Sequence, residues 1–262
     1  MPRLQRPDGV QLHWEARGSG PPVMVVLHWA GHPRLLAPLQ DDLARDHRVV
    51  LYHPRGNGDS TRAGPYDLAT DAADLVAVVE AACPGAVVIG NADSSHRAIY
   101  AGREAGSDIA AVLTHNDLLS GLATLDSPDA LAESAPVLRA LLQMAETGFR
   151  SAVHTLMEST NPDFGETEVQ RRVEEVVEFV DRDAAVGRLR AWIEDRAALD
   201  AASELGDRLW WLVTPTNPWF PPDLAHRVRE VLPRAHVEIL DDGPFNRPDL
   251  TAAVVRRITM GG

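Results

Sequence analysis

Four short apolar runs, each closed by a polar residue or a glycine and separated by helix-length stretches, constrain this chain more than anything else in it. They are Pro22–Trp29, Arg48–His53, Ala86–Gly90 and Ala110–His115. Near-continuous hydrophobicity over so few residues is the mark of strands buried on both faces, as in a parallel sheet. Helical patterns fill the gaps at Leu35–Arg45, Leu68–Ala82 and Ser94–Ala105, with Leu75, Val78 and Val79 at helical spacing. Strand and helix in alternation specify a doubly wound, mostly parallel α/β sheet. Gly9–Ala16 alternates instead, which suits an antiparallel edge strand.

From residue 117 to 206 the strand pattern stops. This stretch is rich in Ala, Leu, Glu and Arg, with breaks at Pro128, Gly148, Asn161-Pro162 and Gly165. Sheet patterning returns in Arg208–Thr214 and His236–Leu240, with helices expected over Pro222–Val231 and from Asp249 onward. The expected organisation is therefore a core of residues 1–116 and 207–262, interrupted by a helical lid at 117–206. Ligands of open α/β sheets bind at the carboxyl ends of the strands, so the lid should cover that edge.

Composition narrows the chemistry. The formal net charge of −13 repels phosphate backbones, so nucleic acid is not an expected partner. All 25 basic residues are arginine, which removes Schiff-base chemistry and the P-loop lysine. No Gly-x-Gly-x-x-Gly run follows a strand, so no cofactor is expected. One cysteine, Cys83, allows no internal disulfide or cysteine-rich zinc site. His13, His28, His32 and His53 lack paired spacing, so no metal is expected either. The longest apolar run is too short to cross a bilayer, and MPRLQRPDG has no secretory core, which points to the cytoplasm. The oligomeric state stays open.

Two motifs join the order of elements. His28-Trp29 closes the first parallel strand, and His53-Pro-Arg-Gly-Asn-Gly-Asp-Ser60 follows the second. The pattern resembles the α/β-hydrolase superfamily over nearly the whole chain. There a His-Gly turn contributes to the oxyanion hole, and an Asp-x-Arg-Gly-x-Gly-x-Ser loop stands where this chain begins with His53. The resemblance implies a nucleophile elbow after Ala86–Ile89, but Gly90-Asn91-Ala92-Asp93-Ser94 places Ala92 at its tip. It implies an acid after Arg208–Thr214, where Asn217 stands, and a histidine after His236–Leu240, where Pro244 stands. An aspartate-to-asparagine change in a triad costs roughly 10⁴ in rate. Three replacements together read as a natural departure.

The expectation drawn from this is a non-hydrolytic enzyme, a cyclase, lyase or isomerase, using shape and acid/base groups on a small apolar or aromatic biosynthetic intermediate. The candidate chemical groups are His28, Asp93, His115, Asp117 and Asn217, with the Asp93 N–H or Asn217 binding an oxyanion. Trp29, Ala92, Ser94, Trp219, Phe220 and Phe245 would line the site. Each has a plainer reading as a turn, cap or core residue. Two alternatives stand beside it, a non-catalytic pseudohydrolase that binds a ligand or partner, and a hydrolase with a relocated nucleophile, Asp93 or Ser94.

Overall fold

The computed structural model describes residues 2–115, 128–161, 163–214 and 223–260, with the side chains of 128–135 and 137 set aside. Eight strands form one sheet in the order β1-β2-β4-β3-β5-β6-β7-β8. They are β1 Arg3–Gln5, β2 Gln11–Arg17, β3 Pro22–Val25, β4 Arg48–His53, β5 Ala86–Asn91, β6 Ile109–His115, β7 Leu209–Val213 and β8 His236–Ile239. β1 and β2 pair antiparallel at one edge, and β4 through β8 run parallel.

Helices cover both faces. α2 (Leu68–Ala82), α3 (Asp93–Glu104), α7 (Ala198–Leu205) and α8 (Leu224–Val231) bury one face, through Leu75, Val78, Ile99, Ala202 and Val228. α1 (Ala37–Leu43) and α9 (Pro248–Met260) cover the other, through Leu39, Leu43, Ala252 and Val255. Trp211 faces the first layer and Trp210 the second, as successive residues of a strand must. No helix among the described residues is long and apolar enough to cross a membrane.

Between β6 and β7 run α4 (Pro128–Thr160, kinked at Gly148), α5 (Glu166–Phe179) and α6 (Arg182–Glu194), followed by α7. α4, α5 and α6 form a third core with Phe149, Val153, Val173 and Leu189, and Trp29 and Ala30 from the β3 end join it. The first apolar run is thus shorter as a strand than its sequence suggests. β3 stops at Val25, and Trp29 packs its indole against Phe149, ring centroids 6.4 Å apart. The loop after β4 is clamped by buried arginines. Arg55 reaches both oxygens of Asp74 at 2.7 and 3.0 Å, while Arg188 of α6 holds Asp71 and donates to Asn57 Oδ1 at 2.9 Å.

Candidate active site

β5 delivers the chain into α3 through a single residue, Ala92, at φ +50° and ψ −127°. It is the one non-glycine with positive φ among the described residues. Holding a residue with a Cβ there costs roughly 1–3 kcal/mol, so the surroundings must enforce it. A Cβ on Gly90 would lie 2.7 Å from the Ser94 carbonyl oxygen, so strand and helix meet as closely as glycine permits. Ser94 Oγ accepts the Asn91 N–H at 2.7 Å, and its single hydrogen is shared between the Asn91 carbonyl at 2.9 Å and the Val26 carbonyl at 3.2 Å. On the other side, the Ala92 N–H donates to the His115 carbonyl at 3.2 Å. Ser94 is fully buried and fastens the turn. Its hydroxyl hydrogen-bonds only main-chain groups among the described residues.

Asp93 is fastened as firmly. Its Oδ1 accepts the Trp29 N–H at 2.8 Å, and its Oδ2 accepts from Arg97 Nη2 at 2.7 Å. Arg97 also donates to the Leu27 carbonyl at 2.6 Å, so one side-chain pair ties α3 to the end of β3. A carboxylate held at both oxygens and 1% exposed braces the loop against the helix. Arg97 was missed in the sequence, although its place four residues after Asp93 on one helical face was a readable signal.

An oxyanion hole at such an elbow combines the N–H after the tip with an N–H from the loop after the first parallel strand. In this chain the loop donors are answered internally. Trp29 N–H goes to Asp93, Ala30 N–H to His28 Nδ1 at 3.3 Å, and Gly31 N–H to the His28 carbonyl at 2.8 Å. The Asp93 N–H is different. As the first residue of α3 it has no acceptor within the helix and sits at the positive end of the helix dipole.

The fold recurs in solved structures. An esterase from Exiguobacterium antarcticum superimposes at TM-score 0.80 with 17% identity, over 98% of this chain and 98% of that one. A serine-to-alanine variant of N-formylmaleamic acid deformylase from Pseudomonas putida S16 gives 0.71 at 21%, over 94% and 97%. An epoxide hydrolase from Bacillus megaterium gives 0.75 at 13%, over 98% and 99%. The chain has the α/β-hydrolase fold. No family model matches its sequence, and no curated protein does. These neighbours are hydrolases, and with them the expectation of a non-hydrolytic cyclase, lyase or isomerase falls. The α/β-hydrolase fold carries hydrolysis in each of them.

Two histidines border the α/β-hydrolase elbow. His28, 8% exposed, meets Phe245 edge-on with ring centroids 6.1 Å apart. Burial drives its pKa down to about 4, the nearby Asp93 carboxylate opposing and the Arg97 guanidinium reinforcing the shift. Its Nδ1 takes the Ala30 N–H, so the neutral ring carries its proton on Nε2. His115 stands opposite Asn91 in the β5–β6 ladder, fully buried, with no hydrogen-bond partner for either ring nitrogen among the described residues. Burial alone pushes its pKa down to about 3, so it too is neutral.

Pro244 is buried in the turn before Phe245, which brings that turn to His28. Asp117, Asn217, Trp219 and Phe220 lie outside the described residues. His32 packs on Phe179 and accepts the Arg34 N–H, while His96 pairs with Asp195 at 2.7 Å, both outside the elbow. Among the described residues, two groups of side chains are spaced to hold a metal ion, His13 with Glu15 and His53, and His154 with Glu158 and Glu166. Neither includes an elbow residue.

Proposed function

We propose that this protein hydrolyses a small, largely apolar substrate held between the carboxyl edge of the sheet and the α4–α6 insertion. Water attacks the carbonyl carbon at the Ala92 elbow, with no covalent intermediate on the protein. The observation that carries this reading is the strained Ala92 backbone, kept at φ +50° although its side chain offers only a methyl group. An elbow retained for packing alone would relax at a cost-free turn, whereas this one still sets the Asp93 N–H and the α3 N-terminus at the tip.

In this mechanism the Asp93 N–H and the His28 Nε2–H receive the carbonyl oxygen as it gains charge, and Phe245 and the small Ala92 side chain bound the substrate. The attacking water loses its proton to solvent or to the leaving group. Oxyanion stabilisation and binding without a triad support roughly 10³–10⁴-fold acceleration over water, so turnover should be slow.

The test is a panel of small activated esters and amides, assayed with a fluorophosphonate labelling control. The reading expects linear product release without a burst, no covalent adduct by intact mass, and a roughly 100-fold loss of rate in His28→Phe under conditions where the variant stays folded. A stoichiometric adduct, or no rate above that of the heat-denatured protein, overturns it.

A further inference from the structure

The register of β2 against β4 places His13 directly opposite His53, two residues forty apart in sequence order. Their rings meet at 4.6 Å between centroids, 60° apart. Glu15, two residues along β2, projects from the same face of the strand. His53 Nε2 lies 3.5 Å from Glu15 Oε1, and His13 Nε2 lies 4.0 Å from that oxygen and 3.9 Å from Asp59 Oδ2. The ligand atoms of His13, Glu15 and His53 fall within 4.8 Å of one another.

The histidine side chains are 1% and 5% exposed, yet among the described residues neither nitrogen of His13 nor the Nε2 of His53 has a hydrogen-bond partner. Buried polar atoms are almost always partnered, so three such nitrogens beside two carboxylates call for something between them. From these contacts we infer that the chain binds one divalent transition-metal ion of the zinc class through His13, His53, Glu15 and Asp59.

Two imidazoles with carboxylates suit a borderline ion better than calcium or magnesium, which take oxygen ligands. Tetrahedral coordination at about 2.0–2.1 Å sets ligand atoms roughly 3.4 Å apart, closer than the 3.5–4.0 Å of these contacts and the 4.8 Å that bounds the cluster. Glu15 and Asp59, 45% and 58% exposed, can move in to supply their part of that contraction, and the two imidazoles close the rest by rotation about their side-chain bonds. Coordination through Nε2 moves the His53 proton to Nδ1, so the Asp59 N–H, now 3.2 Å from that atom, must turn away. It belongs to the exposed end of the turn that carries the fourth ligand.

The bound ion would fasten β2 and β4 to the loop after β4. That loop already reaches the insertion, with the Gly58 N–H on the Phe179 carbonyl at 2.7 Å and the Asp181 N–H on the Gly56 carbonyl at 2.8 Å. The His53 ring itself packs on Phe179 at 4.9 Å. The role is structural, and it is independent of the hydrolytic reading.

The test is zinc titration of the tag-free, chelator-stripped full chain, with cobalt substitution to report geometry. Expected are one equivalent, a tetrahedral cobalt spectrum, a raised melting temperature, and affinity weakened at least tenfold in Glu15→Gln and in His53→Asn. His154→Gln, which removes the other candidate cluster, should bind zinc as wild type does. Absence of saturable binding overturns the inference, as does loss of the site in His154→Gln or wild-type affinity in Glu15→Gln. Should His53→Asn fail to fold, the half-exposed Glu15 carries the test.

Discussion

The carboxylate of Asp93 accepts the main-chain N–H of Trp29 at 2.8 Å, so the first residue of α3 fixes the loop that leaves β3. Its other oxygen takes the Arg97 guanidinium, which in turn donates to the Leu27 carbonyl. The site's two walls, the elbow and the loop, are thereby one hydrogen-bonded unit. Its backbone geometry does not depend on a side chain at the tip of the elbow.

Removing that brace should unseat both walls. Asp93→Ala takes from Arg97, 1% exposed, its hydrogen-bonded carboxylate and leaves it the Asp71 oxygen 3.9 Å away, so it should cost about 3 kcal/mol. Asp93→Asn can still accept the Trp29 N–H and should cost less than Asp93→Ala. Urea unfolding of the two variants checks this. An Asp93→Ala variant within about 1 kcal/mol of wild type would show that the brace carries little stability.

How far the sequence disclosed this arrangement follows from the range of the interactions. The helix over Leu68–Ala82 was readable end to end, because its period and its Asp67 cap, which accepts the Thr70 N–H at 2.7 Å, are both local. The elbow at Gly90 to Ser94 was readable from its resemblance to a Gly-x-Ser-x-Gly turn placed directly after a buried strand. β1 was not, because Arg3–Gln5 is three residues at an exposed edge with no apolar pattern. The apolar run through Trp29 suggested a longer strand because composition cannot tell burial against a sheet from burial against a helical insertion. The opposition of His13 and His53 depends on strand register across the β2–β4 ladder, and spacing along the chain contains no trace of it.

Ala92 should reveal its strain by substitution. Glycine adopts φ +50° freely, so Ala92→Gly removes a cost of about 1–3 kcal/mol while losing about 0.5–1 to the greater freedom of its unfolded chain. The expected result is a gain of about 1 kcal/mol. Ala92→Val adds a β-branched side chain to the same backbone and should lose about 2 kcal/mol or more. Thermal unfolding of the pair decides it, and a destabilised Ala92→Gly would mean that the turn stores no strain.

Arg188 should couple the insertion to the core. It is 3% exposed and grips Asp71 with two bonds at 2.6 and 3.1 Å, while also donating to the Arg55 carbonyl at 2.6 Å. Arg188→Met strands a buried carboxylate and should cost about 3–5 kcal/mol, with faster proteolysis in α4 and α5. Adding Asp71→Asn removes the stranded charge and should recover at least about 1 kcal/mol. Simple addition of the two single-variant losses would show that the pair is not coupled.

The acid limb of stability should report on His115. Unfolded, its imidazole takes a proton near pH 6.5; folded, burial holds it off until about pH 3. Between those values the unfolded chain binds more protons, so stability is complete above 6.5 and drains away as pH falls toward 3. One histidine contributes a slope of about 1.4 kcal/mol per pH unit in that window. His28, with its pKa near 4, adds a slope of the same sign over a narrower range. His115→Leu abolishes the first contribution and leaves the second. Between about pH 6.5 and pH 5, wild type should therefore lose about 2 kcal/mol more than the variant in urea unfolding. Parallel curves would mean that His115 is protonated in the folded protein, and a partner for its ring would then have to be found.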